Sequence, residues 1–501
     1  MKFAASLLAC LSMSAAALAA EQKPNFVIIL TDDQDLRMES MAYMPLVKKH
    51  LTDHGMWFNH HYATVALCCP SRASMWTGKA AHNTNITDLA PPYGGYPKFI
   101  HEGFNEKWLP VWMQEAGYNT YYTGKLMNGH TIDNYKHKLK QLSLDGHDFM
   151  IEPGTYQYTN ATFQHNLDEP KSHPDEYATD LLAEKSLAWI DKATKHKHGK
   201  PFFLAINPVN PHNNLNWSEG WTPPVPAKRH ENGFPGAQVP RKASFNPDKP
   251  SGASWVRSLD QLSGTKIKEN DNFYRRRLQA LQSVDELVEK IVKRLEHHKI
   301  LDNTYIIYTS DNGFHISQHR LTPGKRCPYE EDVNVPLIIR GPGVPKGKTV
   351  DFVTSHLDLA PTIVNWAGAK GPGDFDGASI PKNGQPGTEE PWEHVEIEHW
   401  GMVSNKKQSR LKDKFDTYKA VRVIGPRYNL YYSVWCEGDH EVYDMTFDQF
   451  YEKQKKVKWE QCDRGYRIDN EMPIEYLAFG DYVSVEGRNM EAMANWEMFT
   501  D

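Results

Sequence analysis

The sequence has no excess of basic residues. Its 501 residues include 57 Lys and Arg against 63 Asp and Glu, which gives a formal net charge of −6. Proteins that bind nucleic acid usually carry a basic excess, so the charge argues against that class of function. Basic residues cluster in short runs such as Arg275-Arg276-Arg277, a run that predicts the solvated face of a helix rather than a phosphate clamp.

Beyond its first residues, the chain also lacks a hydrophobic run long enough to span a membrane. The start itself has a positive charge at Lys2, an apolar run over 3–18 and small residues at 17–19. This pattern predicts a secretory signal peptide over residues 1–19, so we expect a secreted protein with no membrane partner. Three Asn-x-Ser/Thr sequons agree with export and predict glycosylation. They begin at Asn85, Asn160 and Asn216.

Cysteine is scarce, with six residues in the chain. Cys10 leaves with the predicted signal peptide. An odd number remains: Cys68, Cys69, Cys327, Cys436 and Cys462. An odd count in a secreted protein implies one thiol that is free or chemically altered. Among the others, Cys436 and Cys462 form the more local pair, but the disulfide connectivity stays open.

The chain does contain several continuous apolar runs rich in β-branched residues, which are typical of strands buried on both faces of a parallel sheet. They cover 25–30, 201–206 and 304–309. Apolar residues at helical spacing predict helices over 176–192 and 271–298. These elements favour an α/β fold, with one large domain over 21–389 whose large, mostly parallel central sheet is flanked by helices.

Other segments differ in composition. From about residue 390, short strand-like segments separated by turns predict a smaller C-terminal α+β domain over 390–501, an antiparallel sheet with a closing helix. The stretch 131–175 is polar and irregular, which predicts surface loops. The stretch from 217 to about 255 is rich in proline, glycine and asparagine. We expect a long loop there that helps to shape a substrate pocket.

Polar clusters follow two of the buried strands. The first cluster contains Asp32 and Asp33, and the second contains Asp311 and Asn312. The carboxyl ends of strands are where α/β sheets bind ligands. Neighbouring carboxylates repel one another, so a divalent cation such as calcium is a natural way to keep them ionised together. A solvated acidic turn explains the first cluster equally well, but the repetition at a second strand end favours a metal site.

The stretch 68–79 concentrates reactive groups. It reads Cys-Cys-Pro-Ser-Arg-Ala-Ser-Met-Trp-Thr-Gly-Lys. Arg72, four residues after Cys68, is expected to stabilise a thiolate or an oxyanion made from it. Alternatively, the two cysteines are half of a disulfide and Arg72 is a solvated surface charge.

The pattern Cys-x-Pro-Ser-Arg followed by Thr-Gly-Lys resembles the signature of the type I, formylglycine-dependent sulfatases, most of all fungal arylsulfatases and N-acetylglucosamine-6-sulfatases. The resemblance covers most of residues 25–445. It implies an alkaline-phosphatase-like sandwich and oxidation of Cys68 by the formylglycine-generating enzyme. It also implies a calcium ion whose ligands are Asp32, Asp33, the modified Cys68, Asp311 and Asn312.

Other motifs of the family match further positions. Residues 117–125 resemble the second signature, Gly-Tyr-x-Thr-x-x-x-Gly-Lys, and Asn128 stands where many members have a histidine. His212 follows a buried strand, as the proton-donating histidine of the family does, and is therefore the expected general acid. The substrate contacts that the resemblance implies are Lys125, Asn128, His212, His315 and Lys325.

The resemblance implies a secreted sulfatase in which the hydrated aldehyde at position 68 attacks the sulfur of a sulfate ester. Calcium bound at the site would polarise the sulfate oxygens, and Arg72, Lys125 and Lys325 would offset the negative charge of the transferring group. His212 protonates the leaving group. Aryl sulfates are the expected substrates, with 6-sulfated glucosamine as the alternative.

Two other classes of protein are alternatives to a sulfatase. Phosphoester hydrolases share the α/β scaffold, but they usually bind two zinc ions and use serine or threonine, so the Cys-x-Pro-Ser-Arg motif argues against them. A non-catalytic protein that binds calcium and sulfated glycans is the expected outcome if Cys68 is not converted.

Overall fold

The computed structural model describes residues 23–137, 142–195, 199–216, 218–387, 392–400, 417–436 and 438–445, together with the backbone of 459–462 and 465–468. Three predictions lie outside the described residues: the signal peptide over 1–19, the helix expected to close the C-terminal sheet, and any disulfide of Cys462.

The described helices are α1 (Pro45–His50), α2 (Cys68–Thr77), α3 (Ala81–Thr84), α4 (Gly95–His101), α5 (Leu109–Glu115), α6 (Ala178–Thr194), α7 (Ser254–Arg257), α8 (Gly264–His297), α9 (Glu330–Val333) and α10 (Leu359–Trp366). The described strands are β1 (Asn25–Thr31), β2 (Met56–Phe58), β3 (His61–Tyr62), β4 (Asn119–Lys125), β5 (Gly146–Met150), β6 (Thr162–His165), β7 (Lys171–Ser172), β8 (Phe202–Asn207), β9 (Asn214–Asn216), β10 (Gly220–Thr222), β11 (Thr304–Ser310), β12 (Leu337–Arg340), β13 (Lys348–Val350), β14 (Thr354–Ser355), β15 (His394–His399), β16 (Tyr418–Gly425), β17 (Tyr428–Trp435), β18 (His440–Asp444), β19 (Trp459–Cys462) and β20 (Gly465–Ile468).

A ten-stranded sheet forms the centre of the molecule, in the order β13-β2-β12-β11-β1-β8-β4-β5-β6-β7. The five strands from β11 to β5 are parallel, as the apolar runs predict. On either side the pairing changes, because β12 is antiparallel to β11 and β6 is antiparallel to β5. The sheet is therefore mixed as a whole, and the prediction of a mostly parallel sheet holds for its centre. The connection 166–170 between β6 and β7 is too short for the crossover that parallel pairing needs.

Helices cover both faces of this sheet, which is why every residue of β1 is buried. One face packs against an aromatic-rich core that includes Trp76, Trp108 and Tyr122. The other face packs against α8. This helix begins earlier than the predicted residue 271, because Ser263 caps it by accepting a hydrogen bond from the Lys266 N–H at 3.3 Å.

The prediction of surface loops over 131–175 is wrong for much of that stretch. β5 is buried at all of its positions, and β6 at three of its four. A 3₁₀ turn over Gly154–Tyr156 is also buried. The strand β6 reads Thr-Phe-Gln-His. Because it lies near the margin of the sheet and contains polar residues, its sequence has no apolar run that would predict a buried strand.

The C-terminal strands β15 to β18 form the predicted antiparallel sheet. They share a core with the rest of the chain through residues such as Ile397, Tyr418 and Tyr62. Glu330 adds a buried ionic link, because its carboxylate accepts hydrogen bonds from Arg422 at 2.5 Å and from Arg37 at 2.6 Å. Burial opposes ionisation of Glu330, but the two guanidinium groups outweigh it and lower its pKa. The domain boundary at 389/390 stays a prediction.

None of the helices that the structure describes is both long and apolar enough to cross a membrane.

Candidate active site

The two polar clusters meet because the strands before them are neighbours. β1 and β11 pair in parallel, with Thr31 opposite Ser310 at their ends. The residues that follow are therefore side by side at the carboxyl edge of the sheet. Asp311 Oδ1 accepts hydrogen bonds from the backbone N–H of Asp33 at 3.0 Å and of Asn312 at 2.8 Å. The repetition of polar clusters in the sequence thus corresponds to one shared site.

The helix α2 brings Cys68 to this edge. Cys68 is its first residue, and the thiol lies 3.4 Å from Asp32 Oδ1 and 3.9 Å from Asp33 Oδ1. The side chain is buried. Burial and the charge of Asp32 raise the pKa of the thiol well above its ordinary value.

Arg72 projects inward from the same helix and is fully buried. Its guanidinium donates to Asp311 Oδ2 at 2.8 Å and to the carbonyl of Lys125 at 2.9 Å, and it lies 3.6 Å from Asp32. The stabilisation by Arg72 of an oxyanion made from Cys68 stays a prediction, because burial and Asp32 raise the pKa of the unmodified thiol. Arg72 orients and neutralises the carboxylates of the site.

Two lysines complete the cationic lining. Lys125, at the end of β4, places Nζ 2.5 Å from Asp32 Oδ2. Lys325 bonds Asp33 Oδ1 and lies 2.6 Å from the thiol of Cys68. Burial opposes the charge of both lysines, but the neighbouring aspartates outweigh it and raise their pKa values. Both therefore remain cations in the folded protein.

The approach of β4 to the site depends on Gly124. Its φ is +102°, and a Cβ at this position would lie 2.1 Å from the carbonyl oxygen of Asn207. Only glycine accepts both the dihedral angle and this contact. The Gly-Lys pair in the second motif thus has a physical reason: the glycine lets the strand end close to β8 where the lysine reaches Asp32.

The carboxylates of Asp32 and Asp33 are ionised despite their burial. Desolvation alone would raise both pKa values, but Lys125, His212 and Arg72 lower the pKa of Asp32 to about 2. Lys325 and His212 similarly lower the pKa of Asp33. The site is thus a dense array of fixed, alternating charges enclosed in the protein.

His212 enters from the loop after β8. Its Nε2 lies 3.7 Å from Asp33 Oδ2, and its Nδ1 lies 2.9 Å from the carbonyl of Asn213. Because that carbonyl accepts a hydrogen bond, Nδ1 carries the donated proton and Nε2 faces the charged groups. Burial lowers the pKa of His212, although the two aspartates oppose the shift.

The structure brings nine of the predicted site residues into one connected cluster: Asp32, Asp33, Cys68, Arg72, Lys125, His212, Asp311, Asn312 and Lys325. Asn128 and His315 stand one contact further out. Asn128 donates to the hydroxyl of Tyr156 at 2.8 Å. His315 bonds Asp332 at 2.8 Å, and its backbone pairs with Gly324, next to Lys325.

Two neighbours of the site were missed from the sequence. Tyr156 lies in the stretch predicted as surface loops, and its ring is 4.6 Å from that of His212. Arg277 belongs to the triplet predicted to be solvated, yet it is buried, bonds the carbonyl of Asp33 and donates to that of Pro211 at 3.3 Å. Helical spacing was the signal that could have predicted burial of Arg277. Tyr274 and Leu281 lie on the same face of α8, and both belong to the core.

Several oxygen atoms of the site surround the ammonium group of Lys325, as they would surround a bound cation. The ammonium group of Lys325 already lies among Asp33 Oδ1, the thiol of Cys68 and Asn312 Oδ1, the last at 3.4 Å. Asp32, Asp33, Cys68 and His212 each offer a ligand atom within 4.8 Å of the others. This geometry fits a divalent metal beside a small anion, because Arg72 and the two lysines add positive charge around it.

The chain matches known families over most of its length. The sulfatase family profile covers residues 24–369, and the profile described as N-sulphoglucosamine sulphohydrolase, C-terminal, covers 318–454. An arylsulfatase of Volvox carteri is 35% identical over 86% of this chain and 71% of its own length. An N-acetylglucosamine-6-sulfatase of Capra hircus is 32% identical over 88% of this chain and 81% of its own.

Solved structures share the fold. One protein, in complex with its substrate D-glucosamine-2-N,6-O-disulfate, superimposes with a TM-score of 0.69 at 22% identity, over 86% of this chain and 93% of its own. The chain belongs to the sulfatase family and is an enzyme that hydrolyses sulfuric esters.

Proposed function

We propose that this sulfatase hydrolyses aryl sulfates, using a formylglycine at position 68 and a calcium ion. The observation that carries the proposal is the convergence of Lys125, Lys325 and the Asp32–Asp33 pair on the side chain of Cys68. Identity to the arylsulfatase of Volvox carteri supports aryl sulfates as substrates. The N-acetylglucosamine-6-sulfatase relative and the glucosamine disulfate bound by a protein of similar fold favour a sulfated glucosamine as the second candidate.

The environment of Cys68 argues that the thiol is not the working nucleophile. A thiol whose pKa is raised by burial and by Asp32 is neutral at physiological pH, and a neutral thiol attacks poorly. Formylglycine hydrate would supply two hydroxyl groups on one carbon, one to attack sulfur and one to release sulfate afterwards. Since Cys68 is 1% exposed, the formylglycine-generating enzyme needs the chain before it folds.

The donor set suits calcium, because it consists of carboxylate and amide oxygens, which are hard ligands. The proposed ligands are Asp32, Asp33, Asp311, Asn312 and the modified residue 68. Bound calcium would supply positive charge that polarises the sulfate oxygens. Arg72 holds the carboxylate of Asp311 in place for this role at 2.8 Å.

The remaining side chains have different roles in binding the substrate and in transferring its sulfate group. Lys125 and Lys325 are charged in the folded protein and bind sulfate oxygens, so they stabilise the charge that develops during transfer. His212 presents Nε2 to the site, and in its imidazolium form, protonated on both nitrogens, it donates the Nε2 proton to the oxygen of the leaving group. His315, held by Asp332, positions Lys325 through the backbone pairing with Gly324. Asn128 acts through Tyr156, to which it donates a hydrogen bond.

Export through the secretory pathway is part of the proposal. The signal-peptide pattern at residues 1–19 supports it. Asn85 and Asn160 are exposed, so an oligosaccharide on either side chain meets no buried surface.

The maturation of Cys68 can be read by mass spectrometry of the peptide that contains residues 68–72. We expect a mass about 18 Da below that of the cysteine form, since a carbonyl replaces the thiol. The same preparation is expected to hydrolyse 4-nitrophenyl sulfate faster than 6-sulfated N-acetylglucosamine and to leave 4-nitrophenyl phosphate nearly intact. Unmodified Cys68 in fully active protein would contradict the mechanism. Unmodified, inactive protein that still binds a sulfate ester would indicate the non-catalytic alternative.

Removal of calcium is expected to lower both activity and stability. A metal-free preparation should lose on the order of 100-fold in kcat/KM, because several kcal/mol of charge stabilisation are lost. An ion present at 100 times its Kd stabilises the fold by about 2.7 kcal/mol, so its removal should lower Tm.

Elemental analysis should find one calcium per chain. Asp311→Asn should weaken calcium binding, whereas the exposed control Asp53→Asn should not. Full activity without any bound metal would refute this part of the proposal.

A further inference from the structure

One large apolar side chain remains exposed beside the active site. Among the described residues, the large hydrophobic side chains that are more than a third exposed are Ile132, Leu167, Trp221 and Val225. Trp221 is 43% exposed, and its ring lies 5.5 Å from that of His212 and 5.3 Å from that of Tyr156. An exposed tryptophan against a site residue is a frequent feature of binding surfaces.

Tyr156, His212 and Trp221 form a continuous surface, which we call the aromatic wall. The Tyr156 and His212 rings are 4.6 Å apart and tilted by 31°. At the inner end, Lys125 Nζ lies 5.0 Å from the centre of the Tyr156 ring. The wall therefore begins at a lysine that reaches Asp32 and ends at Trp221.

The wall is held in place from both sides. The hairpin of β9 and β10 follows His212 directly and sets Trp221 opposite Leu215. Tyr158 anchors the start of this hairpin, because its hydroxyl donates to the carbonyl of His212 at 2.7 Å and its N–H donates to Asn214 at 3.2 Å. On the other side, Asn128 fixes the hydroxyl of Tyr156. A surface fixed in this way is preorganised for a rigid ligand.

The exposed fraction of the side chains increases along the wall from Lys125 to Trp221. The side chain of Lys125 is 1% exposed and that of His212 is 13% exposed, while Trp221 is 43% exposed. If the sulfate group occupies the inner, cationic end, the rest of the substrate extends past His212 towards Trp221. His212 protonates the leaving oxygen in the proposed mechanism, so the group that carries this oxygen lies along the wall.

We propose that Trp221 and Tyr156 bind a flat ring in the leaving group and make the enzyme selective for ring sulfates over open-chain alkyl sulfates. An aryl ring and the apolar face of a pyranose both offer the flat surface that stacks on tryptophan. The inference rests on the proposed sulfatase mechanism and deepens it by naming the part of the substrate that is recognised. Trp221 determines specificity without taking part in bond breaking.

The test compares Trp221→Ala with the wild-type enzyme on three substrates: 4-nitrophenyl sulfate, N-acetylglucosamine 6-sulfate and butyl sulfate. We expect kcat/KM to fall about tenfold for the preferred ring substrate, mainly through KM, and to change less than twofold for butyl sulfate. The ring substrate with the larger loss identifies whether the wall serves an aryl group or a sugar. Trp221→Phe should restore most of the activity, because it keeps a flat ring.

Inorganic sulfate supplies an internal control, since it occupies only the inner end. Its inhibition constant should be the same in Trp221→Ala as in the wild type, and so should Tm. Leu167→Ala, at another exposed apolar side chain, should leave all three substrates unaffected. Equal losses on ring and open-chain substrates, or no loss on either ring substrate, would overturn the inference. If the wild-type enzyme cleaves none of the three sulfates, the proposed function fails instead.

Discussion

Cys68→Ser is expected to lower kcat for 4-nitrophenyl sulfate by about 10⁴-fold or more, the range seen when a covalent nucleophile is removed. Serine has nearly the same volume as cysteine, so the fold and the lysine contacts should survive. Its side chain carries one hydroxyl group, whereas the aldehyde hydrate carries two on the same carbon. Sulfate transferred to that hydroxyl would have no second hydroxyl on the same carbon to release it. We therefore expect at most one turnover, which rapid-mixing kinetics can detect as a burst without a steady state.

The adjacent cysteine is the matched control. Cys69 is equally buried, but its sulfur accepts a hydrogen bond from the N–H of Gly95 at 3.2 Å and lies 3.9 Å from the sulfur of Met127. It belongs to the hydrophobic core cluster that contains Trp76 and Tyr122. Cys69→Ser should thus retain kcat within a few-fold, with some loss of Tm from the polar hydroxyl in the core. Similar activity of Cys68→Ser and the wild type would show that residue 68 is not the nucleophile.

His212→Gln is expected to have the second largest effect, and its size should depend on the leaving group. A general acid contributes about 10²–10⁴-fold when the leaving oxygen needs a proton. We expect a loss in this range for butyl sulfate, whose alkoxide leaves poorly. We expect less than a tenfold loss for 4-nitrophenyl sulfate, whose phenolate leaves without protonation. The measurement is kcat/KM across a series of sulfates ordered by the pKa of the alcohol or phenol.

Glutamine keeps the size and polarity of the side chain at position 212, which limits the disturbance of the Tyr156 contact. The exposed His54, in the 3₁₀ turn Thr52–His54, provides a matched control, because His54→Gln changes the same residue type outside the set of predicted site residues. If His212→Gln slows every substrate by the same factor, His212 binds the sulfate group or the metal rather than transferring a proton.

The site was largely predictable because its residues follow strong local signals. Continuous apolar runs predict strands, and the residues that end β1 and β11 are necessarily at the same edge once those strands pair in parallel. The motif around Cys68 and the Gly-Lys pair of β4 lie within short stretches of chain. Each of these features depends on residues that are close together in the sequence, so it can be recognised without the structure.

The errors have a common physical origin. Arg277 was predicted to be solvated from its charge, but it lies on the core face of α8, where carbonyls of Asp33 and Pro211 accept its hydrogen bonds. Burial of a charged side chain depends on partners that are far away in sequence. Tyr156 was missed for the same reason, since its contacts to Asn128, His212 and Trp221 come from three other segments.

The sequence by itself determined the family and the strands that deliver most of the charged groups, and it predicted Cys68 as the reactive residue, because these features are encoded in contiguous motifs and apolar runs. Only the tertiary structure decided how the charges are paired: Arg72 with Asp311, Lys125 with Asp32 and Lys325 with Asp33. It also decided that Cys68 is buried beside Asp32, which raises the pKa of its thiol, and that an aromatic wall extends from His212 to solvent. Pairing, pKa and pocket shape are properties of distances between remote segments, and those distances exist only after the chain has folded.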